Sequence, residues 1–228
     1  MIGCDDDLSK YDLVIAPVLY MVKGDYDTKI SKFVKQGGHF VTTFFSGYVD
    51  EHDLVTLGGY PGKFRDIMGI WVEEIDAVPK ERENHFTWEG LEYTAKTLCD
   101  LLHTESAEVL AAYTDDFYAG MPALTMNEYG EGKAYYIATS SDPDFYYTFF
   151  ERMAVELNIP SLGEAPKDVE LTLRSKGSNS LIFALNHGYE SKCFKIWSDA
   201  TDLLTGEEFK ASEEIWIGNM GVRILKTQ

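Results

Sequence analysis

The order of segments near the start of the chain constrains the fold most. Residues 13–19 (LVIAPVL) lack polar side chains, which is typical of a strand buried on both faces in a parallel sheet. Residues 25–36 predict an amphipathic helix that ends at Gly37-Gly38. Residues 39–45 are rich in β-branched and aromatic side chains and predict a second strand. This order indicates a βαβ unit and an α/β fold. The apolar face of the helix is formed by Tyr26, Ile30, Phe33 and Val34.

Shorter elements follow this unit. A loop covers residues 46–62, and a short helix at residues 64–68 leads into a strand at residues 70–75. The sequence Tyr129-Gly130-Glu131-Gly132 lies between two strand-like segments and predicts a β-hairpin. Asp142-Pro143 is a typical helix start, so residues 144–157 predict a helix with an apolar stripe.

The sequence pattern changes after residue 160. Residues 161–167 contain glycine and proline and indicate a linker. From residue 168 onward only short runs occur, several of which alternate between apolar and polar side chains as half-exposed antiparallel strands do. We therefore expect two domains, an α/β domain at residues 1–160 and a small antiparallel all-β domain at residues 161–228.

Charge and cysteine content exclude several classes of function. The formal net charge of −18 disfavours binding to nucleic acid or to an anionic membrane surface. Cys4, Cys99 and Cys193 are far apart and predict neither a disulfide framework nor a zinc site, which favours a reducing cytoplasm. No apolar run approaches the ~20 residues of a membrane span, and the first residues do not resemble a signal peptide.

Several segments resemble, in order and spacing, the middle domain of glycoside hydrolase family 42 β-galactosidases. Each segment alone is weakly specific, but the series is specific. The segments are residues 11–21 (YDLVIAPVLYM), 46–51 (SGYVDE), 57–62 (LGGYPG), 65–66 (RD), 69–74 (GIWVEE), 116–123 (DFYAGMPA) and 127–136 (NEYGEGKAYY). The tail from Val169 is similar to the C-terminal β domain of that family through Asn186-His187 and residues 202–206 (DLLTG).

The resemblance implies a flavodoxin-like sheet, related to class I amidotransferase domains, that forms a homotrimer and helps to wall the active site. In the family, two glutamates of a (β/α)₈ barrel carry out retaining hydrolysis of terminal β-galactosides. A barrel takes ~250 residues, and two other domains account for nearly all residues of this chain. We therefore expect no catalytic residue, no metal site and no cofactor here. The partners implied are further copies of the chain and the catalytic barrel of the parent protein, through which alone galactosides would be bound.

The family's middle domain also opens with a strand and a helix that precede the segment matching residues 1–4. Their absence implies a sheet truncated at its start, with an unpaired edge and exposed core. Either a truncated gene product or gene model, or a piece cut from a longer protein, explains this. The sequence decides neither this question nor the galactoside and linkage preference of the parent.

The 46–62 loop contains the candidate functional residues. Carboxyl ends of parallel strands face binding crevices, so Ser46, Asp50, Glu51 and Tyr60 are predicted to form a loop at the substrate entrance of the assembled enzyme. Residues 50–53 (DEHD) also allow a metal or acid–base site, but a polar loop is the simpler interpretation. Ser46-Gly47 follows a strand where amidotransferase-like domains carry a nucleophile elbow, yet Phe44 stands where a glycine is needed.

Three further patterns have simpler structural explanations. Asn127-Glu128 resembles the acid/base pair of retaining glycosidases but lies beside a predicted hairpin turn. The five histidines show no metal-ligand spacing. The tryptophans favour core or interface packing, although Trp197 and Trp216 leave open a carbohydrate-binding module in the C-terminal domain. That alternative requires exposed, coplanar aromatic rings.

Overall fold

The structure is a computed structural model that describes residues 2–227, and the chain divides into two compact units between Met153 and Ala154. This division falls within a helix, so the domain boundary expected at residues 160/161 stays a prediction. No helix within the described residues is long and apolar enough to cross a membrane.

The first unit combines eleven strands with three α-helices within the described residues. The strands are β1 Leu13–Ala16, β2 Met21–Val22, β3 His39–Thr43, β4 Val49–Asp50, β5 Ile70–Ala77, β6 Asn84–Trp88, β7 Leu91–Thr104, β8 Glu108–Tyr113, β9 Pro122–Tyr129, β10 Gly132–Ile137 and β11 Thr139–Ser141. The helices are α1 Tyr26–Lys35, α2 Arg65–Met68 and α3 Pro143–Glu156, with 3₁₀ turns at Leu8–Lys10 and Gly62–Phe64.

Nine of these strands form one mixed sheet in the order β1-β3-β10-β9-β8-β6-β7-β11, with β5 paired to β7. Only β1, β3 and β10 run parallel to one another, and the remaining pairs are antiparallel. The predicted β1-α1-β3 unit is confirmed, because β1 and β3 pair in parallel and α1 connects them. The predicted hairpin is also confirmed, because β9 and β10 pair across a turn of Gly130 and Glu131.

Strand β1 differs from its expected burial. Within residues 2–227 it pairs with β3 alone and therefore lies at an edge of the sheet. Val14 is buried, but Ile15 is exposed. The expectation that this strand is buried on both faces is therefore wrong, because an apolar run does not reveal whether both faces of the strand are covered.

The core of the first unit holds the predicted faces of its helices. Ile30, Phe33 and Val34 of α1 are buried against the sheet, as their spacing predicted. The stripe of α3 is buried through Phe145, Phe149 and Met153, where Phe145 and Phe149 contact the ring of Trp88. These contacts give the unit one continuous apolar core.

The second unit contains two antiparallel sheets, as the alternating pattern predicted. A three-stranded sheet has the order β12-β15-β18 and a five-stranded sheet the order β13-β14-β19-β16-β17. Their strands are β12 Gly163–Glu164, β13 Val169–Lys176, β14 Asn179–Asn186, β15 Lys192–Ile196, β16 Ala200–Asp202, β17 Glu208–Phe209, β18 Ile215–Ile217 and β19 Val222–Thr227. Both sheets contribute to one small core, which includes Ile182, Phe194, Ile215 and Leu225.

The expectation of a linker at residues 161–167 is wrong in part. Gly163 and Glu164 form β12, which pairs with Ile196 and Lys195 of β15. Glycine and proline made the segment look irregular, but its backbone groups complete a sheet edge. A two-residue strand leaves no periodic pattern that the sequence could reveal.

Gly132 gives a test of how closely α1 packs against the sheet. A Cβ atom there would lie 2.2 Å from Gly38 O and 2.4 Å from Val34 O, at the end of the helix. We expect Gly132→Ala to lower the free energy of unfolding by about 1–3 kcal/mol, because backbone atoms must move apart. Urea unfolding followed by tryptophan fluorescence measures the change.

The matched control is Gly3→Ala, where the atom nearest to the added Cβ is Asp6 Oδ2, at 3.5 Å. Its free energy of unfolding should change by no more than about 0.5 kcal/mol. Equal effects of the two substitutions would contradict the close helix–sheet contact.

Candidate functional site

The candidate site lies at the carboxyl ends of β1 and β3. The chain that leaves β1 forms β2, and the chain that leaves β3 forms β4, which pairs with β2 in parallel. Gly47 N and Tyr48 N donate hydrogen bonds to Leu19 O and Tyr20 O. The 46–62 loop is therefore attached to the segment that follows β1.

Ser46 is fully buried at the base of this loop. Its Oγ accepts hydrogen bonds from Leu19 N at 2.9 Å and from Thr42 Oγ1 at 2.7 Å. Thr42 Oγ1 also lies 2.8 Å from Ala16 O. Since the hydroxyl of Ser46 is engaged and inaccessible, its position fits a role in holding the loop rather than in touching a ligand.

Phe45 rather than Ser46 has the left-handed backbone conformation of a sharp turn. Its φ is +62°, two residues after the end of β3, which is a strained conformation for a bulky residue. Its ring stacks on Tyr20 at 5.2 Å and on Tyr48 at 5.1 Å, measured between centroids. The turn thus presents an aromatic ring where a hydrolase would need a nucleophile, which argues against amidotransferase-like chemistry.

A buried carboxyl group holds this turn from below. Asp100 on β7 is fully buried, and its Oδ2 accepts hydrogen bonds from Tyr136 OH at 2.6 Å and from Phe45 N at 3.2 Å. Burial raises the pKa of Asp100 to about 6, and the hydrogen bonds from Tyr136 OH and Phe45 N, together with the nearby hydroxyl of Tyr60, oppose that rise.

Tyr60 packs under the loop beside this carboxyl group. Burial, followed by the charge of Asp100, raises the pKa of Tyr60 above its usual value. Within the described residues, neither Tyr60 OH nor Asp100 Oδ1 has a hydrogen-bond partner of normal geometry. The Tyr60 ring meets Tyr48 edge-on at 5.3 Å. Like Ser46, Tyr60 supports the loop from its inner side.

Asp50 and Glu51 lie on the outer side of the loop. Asp50 Oδ1 accepts hydrogen bonds from His52 N at 2.8 Å and Leu54 N at 3.1 Å. The Leu54 N–H and then the His52 N–H hold the pKa of Asp50 below its usual value, and the backbone N–H of Glu51 lowers the pKa of the Glu51 carboxyl. Asp53 is engaged separately, with Oδ1 3.1 Å from Tyr20 OH. Residues 50–53 thus form a turn whose carboxylates point to different partners.

No group of three or more His, Cys, Asp or Glu side chains within residues 2–227 is arranged to hold a metal ion. Three histidines instead each pair with one carboxylate. The pairs are His85 with Asp115 at 2.7 Å, His103 with Glu73 at 2.6 Å and His187 with Glu170 at 3.0 Å.

Asn127 has a structural task that the sequence did not reveal. Its amide Nδ2 donates to Ile67 O at 2.8 Å and to Asp66 O at 3.3 Å, while its Oδ1 accepts from Ser106 Oγ at 2.9 Å. It thereby satisfies carbonyl groups of α2 that helix termini leave unpaired. The neighbouring Glu128 is exposed on β9.

The two motifs of the C-terminal tail also form turns. Asp202 is fully buried and accepts hydrogen bonds from Leu204 N at 2.9 Å and from Arg223 Nη1 at 2.7 Å. Burial pushes the pKa of Asp202 upward, but the hydrogen bonds from Arg223, Leu204 and Thr205 outweigh it and keep the pKa below its usual value. Asn186 Nδ2 donates to Glu190 O and Gly218 O, each at 2.8 Å. Both motifs hold loops of the small β unit in place.

Among the functional candidates, sequence reasoning missed Asp100, Thr42 and Phe45. A carboxylate within the apolar residues 98–102 (LCDLL) was the available signal for Asp100. Charged residues are rarely fully buried without partners. The strained turn at Phe45 left no signal, because its neighbours are not the glycines that usually accompany one.

Two family models match the chain. Residues 1–160 match a model described as the β-galactosidase trimerisation domain. Residues 168–227 match a model described as the β-galactosidase C-terminal domain.

Curated relatives and solved structures agree with these matches. β-Galactosidase BgaA of Planococcus sp. (strain 'SOS Orange') is 46% identical over an alignment of 232 positions, which covers 99% of this chain and 34% of the relative. The crystal structure of a β-galactosidase from Bacillus circulans sp. alkalophilus superposes with a TM-score of 0.91 at 46% identity, covering 100% of this chain and 34% of that one. A catalytic mutant of Gan42B, a GH42 β-galactosidase from G. stearothermophilus, has a TM-score of 0.86 at 34% identity, covering 97% and 32%. The chain therefore spans about a third of the length of the relatives it matches.

Asp100 makes the stability of the first unit depend on pH. Its pKa is about 6 in the folded chain and about 3.9 in an unfolded one. The folded state therefore binds more protons between pH 4 and 6, and the free energy of unfolding falls as pH rises through that window, by about 3 kcal/mol in all. We expect Asp100→Asn to remove this fall. Between pH 4 and pH 7.5, the free energy of unfolding of the variant should therefore rise relative to that of the wild type by about 2–3 kcal/mol. Urea unfolding at both pH values measures it.

The exposed Asp12 provides the control. The stability difference between Asp12→Asn and the wild type should stay nearly constant over the same range. If the free energies of unfolding of Asp100→Asn and the wild type differ by the same amount at both pH values, Asp100 does not have the raised pKa described above.

Proposed function

The chain belongs to glycoside hydrolase family 42, through the trimerisation and C-terminal domains of its β-galactosidases, and on that premise we propose that it is a non-catalytic oligomerisation and structural region. The observation that carries the proposal is the match of residues 1–160 to the trimerisation domain. The parent reaction is then retaining hydrolysis of terminal β-D-galactosides, performed by a barrel elsewhere in the parent polypeptide.

The folded elements support the absence of catalysis in this chain. Retaining hydrolysis needs two carboxyl groups about 5 Å apart on opposite faces of the scissile bond. The candidate Glu128 lies beside a hairpin, and its neighbour Asn127 is occupied in binding the carbonyls of α2. The described residues form a mixed sheet, a two-stranded parallel sheet and two antiparallel sheets, and none of these is a (β/α)₈ barrel.

The finer fold assignment belongs to the same proposal. The parallel strands β1, β3 and β10, with α1 as a crossover, are the part of the sheet that a flavodoxin-like, class I amidotransferase-like domain would share. The chain would work in the cytoplasm as part of a homotrimer, with the catalytic barrel of the parent protein as its second partner. The acidic surface fits neither nucleic acid nor anionic membranes.

Within that assembly, the 46–62 loop is proposed to border the substrate entrance. Asp50 and Glu51 lie on its accessible side, and the hydrogen bonds from His52 N and Leu54 N keep Asp50 oriented. Ser46 and Tyr60 serve the same site from beneath, since both are buried. Carboxylates at an entrance can bind sugar hydroxyls, which are good hydrogen-bond donors.

A carbohydrate-binding module in the second unit is the second candidate function. Trp197 and Trp216 are 48% and 59% exposed, respectively, as such a module requires. Trp216 lies on β18 opposite Cys193 of β15, and Trp197 follows the end of β15. This separation along the strand favours two independent rings over one stacking platform.

Isolated chains should associate without hydrolysing galactosides. We expect light scattering to give a mass approaching three times the 25.8 kDa of one chain and no release of o-nitrophenol from o-nitrophenyl β-galactoside, because the catalytic carboxylates belong to the barrel. A monomer at high concentration would contradict the first part. Turnover that rises with chain concentration in a preparation free of other glycosidases would contradict the second.

The entrance role of the loop is testable in the full-length parent enzyme. We expect Asp50→Ala and Glu51→Ala to raise KM for a galactoside by roughly two- to tenfold with the trimer intact, because each removes a hydrogen-bond partner worth about 0.5–1.5 kcal/mol. Steady-state kinetics and light scattering measure the two properties.

The matched control is Glu131→Ala, an exposed carboxylate in the hairpin turn at the start of β10. Glu131 lies near the amino ends of the parallel strands, whereas the 46–62 loop lies at their carboxyl ends. The kinetics of Glu131→Ala should therefore equal those of the wild type. If Asp50→Ala and Glu51→Ala also leave kinetics and trimerisation untouched, the entrance role is wrong.

A further inference from the structure

Asp100 is a fully buried carboxyl group that has no positively charged partner. Within the described part of the chain its side chain forms no ion pair, and its Oδ2 accepts hydrogen bonds from Tyr136 OH and Phe45 N. The titratable groups that face Asp100 are Tyr60 of the loop, Tyr136 of β10 and Tyr113 of β8, whose hydroxyl lies 3.4 Å from Asp100 O. Burial raises the pKa of all three tyrosines, so they are uncharged at neutral pH. A negative charge on Asp100 is therefore not compensated by its neighbours.

The two carboxyl oxygens of Asp100 have different surroundings. Oδ2 accepts two hydrogen bonds, whereas Oδ1 has no partner of normal geometry within the described residues. In the neutral acid the proton therefore belongs on Oδ1, where it needs an acceptor. The nearby hydroxyl of Tyr60 is buried and also lacks a described partner of normal geometry. The neutral carboxyl group can thus hold the loop at two points, with Phe45 on Oδ2 and Tyr60 on Oδ1.

The loop is the part of this enclosure that can move. Asp100 lies on β7, which pairs with β5, β6 and β11, and Tyr136 lies on β10, which pairs with β3 and β9. Both strands are therefore held by neighbouring strands. Residues 45–57 are attached to the rest of the unit by isolated backbone hydrogen bonds, such as the bond from Gly47 N to Leu19 O. When water reaches an ionised Asp100, these residues are the ones that must give way.

The backbone sets the limits of the segment that can open. Phe45 begins it with a φ of +62°, a strained conformation for a bulky residue that opening relieves. Farther along the loop, Arg65 Nη1 donates to Gly58 O at 3.0 Å, and Val72 N donates to Tyr60 O at 2.7 Å. The part of the loop that can open therefore ends before Gly58.

Aromatic rings connect the buried carboxyl group to the outer turn at residues 50–53. The ring of Phe45 stacks on Tyr20 at 5.2 Å and on Tyr48 at 5.1 Å, measured between centroids. Tyr20 OH lies 3.1 Å from Asp53 Oδ1. The contacts are continuous from the buried carboxyl group to a carboxylate of the exposed turn, so a shift of Phe45 is transmitted to that turn.

We propose that Asp100 is a positioning residue whose proton keeps residues 45–57 closed against the sheet, and that loss of this proton opens them. The inference rests on the proposed function, which places these residues at the substrate entrance, and it adds that the entrance responds to pH. Burial raises the pKa of Asp100 to about 6 although its hydrogen bonds oppose that rise. The closed form is therefore most stable below about pH 4 and loses stability as the pH rises to about 6.

Hydrogen exchange of the whole chain, measured by mass spectrometry, tests this response. Exchange rates at pH 5 and pH 7.5 are compared with those of an unstructured peptide at the same pH, which gives a protection factor. We expect the protection of residues 45–57 in the wild type to fall about tenfold between these pH values, because the pKa of Asp100 is about 6 in the closed form and about 3.9 in the open form. Asp100→Asn has the same shape but cannot ionise, so its protection should change less than about twofold. The matched control Asp12→Asn alters an exposed carboxylate and should behave as the wild type.

The β9–β10 hairpin of the same unit shows whether the opening is local. Its amides should be more protected than residues 45–57 at both pH values, because the hairpin takes no part in the opening. Equal protection of the two segments means that the whole unit unfolds, and this overturns the proposal. Wild-type protection of residues 45–57 that does not vary with pH also overturns it and needs no variant. A fall with pH that Asp100→Asn retains does the same.

Steady-state kinetics of the full-length parent enzyme connect the opening with substrate binding. We expect the KM of the wild type, divided by that of Asp100→Asn, to rise about two- to tenfold between pH 5 and pH 7.5, with a constant ratio of kcat values. The reason is that Asp100 acts on the entrance, whereas the reacting carboxylates belong to the barrel. If hydrogen exchange responds to pH as expected but the ratio of KM values stays constant, the entrance role of the loop is wrong and the control of the loop by the Asp100 proton stands.

Discussion

The hydrogen bonds beneath the 46–62 loop are the constraint on which the candidate site depends. Ser46 Oγ joins Thr42 Oγ1 and Leu19 N, and Asp100 joins Phe45 N to Tyr136 OH. All of these groups lie in or near the buried interior, where an unpaired polar group costs about 1–3 kcal/mol. The chain therefore has one favourable path past the carboxyl ends of β1 and β3, and the outer residues of the loop are oriented by groups that no ligand can reach.

The surface of the molecule follows from its charge. A chain with 38 acidic and 20 basic residues carries a large excess of carboxylates, and the repulsion between like charges opposes contact between copies. Residues 54–57 carry no charge, and hydrogen bonds to Tyr48 O and Asp50 hold their backbone in place. The carboxylates of Asp50 and Glu51 stand on the same loop, so an uncharged surface and a polar edge lie side by side.

Burial divides the four residues that the sequence assigned to this loop. Asp50 and Glu51 are accessible, whereas Ser46 and Tyr60 lie underneath and hold the loop in place. All four are polar and close in the chain, so their sequence context is alike. A side chain of the loop is buried when it points toward β7 and β10 and accessible when it points away. Its direction depends on contacts between segments that are more than fifty residues apart in the chain.

The sequence by itself determined the β1-α1-β3 unit, the β9–β10 hairpin, the apolar face of α3 and the all-β character of the tail. These features depend on local periodicity and turn residues, which a chain carries whatever surrounds it. Only the tertiary structure decided that β1 is an edge strand, that most of the sheet is antiparallel, that Gly163 and Glu164 pair with β15, and that Asp100 supports the loop. Each of these depends on which distant segment becomes a neighbour, and long-range pairing leaves no periodic trace in the residues that it joins.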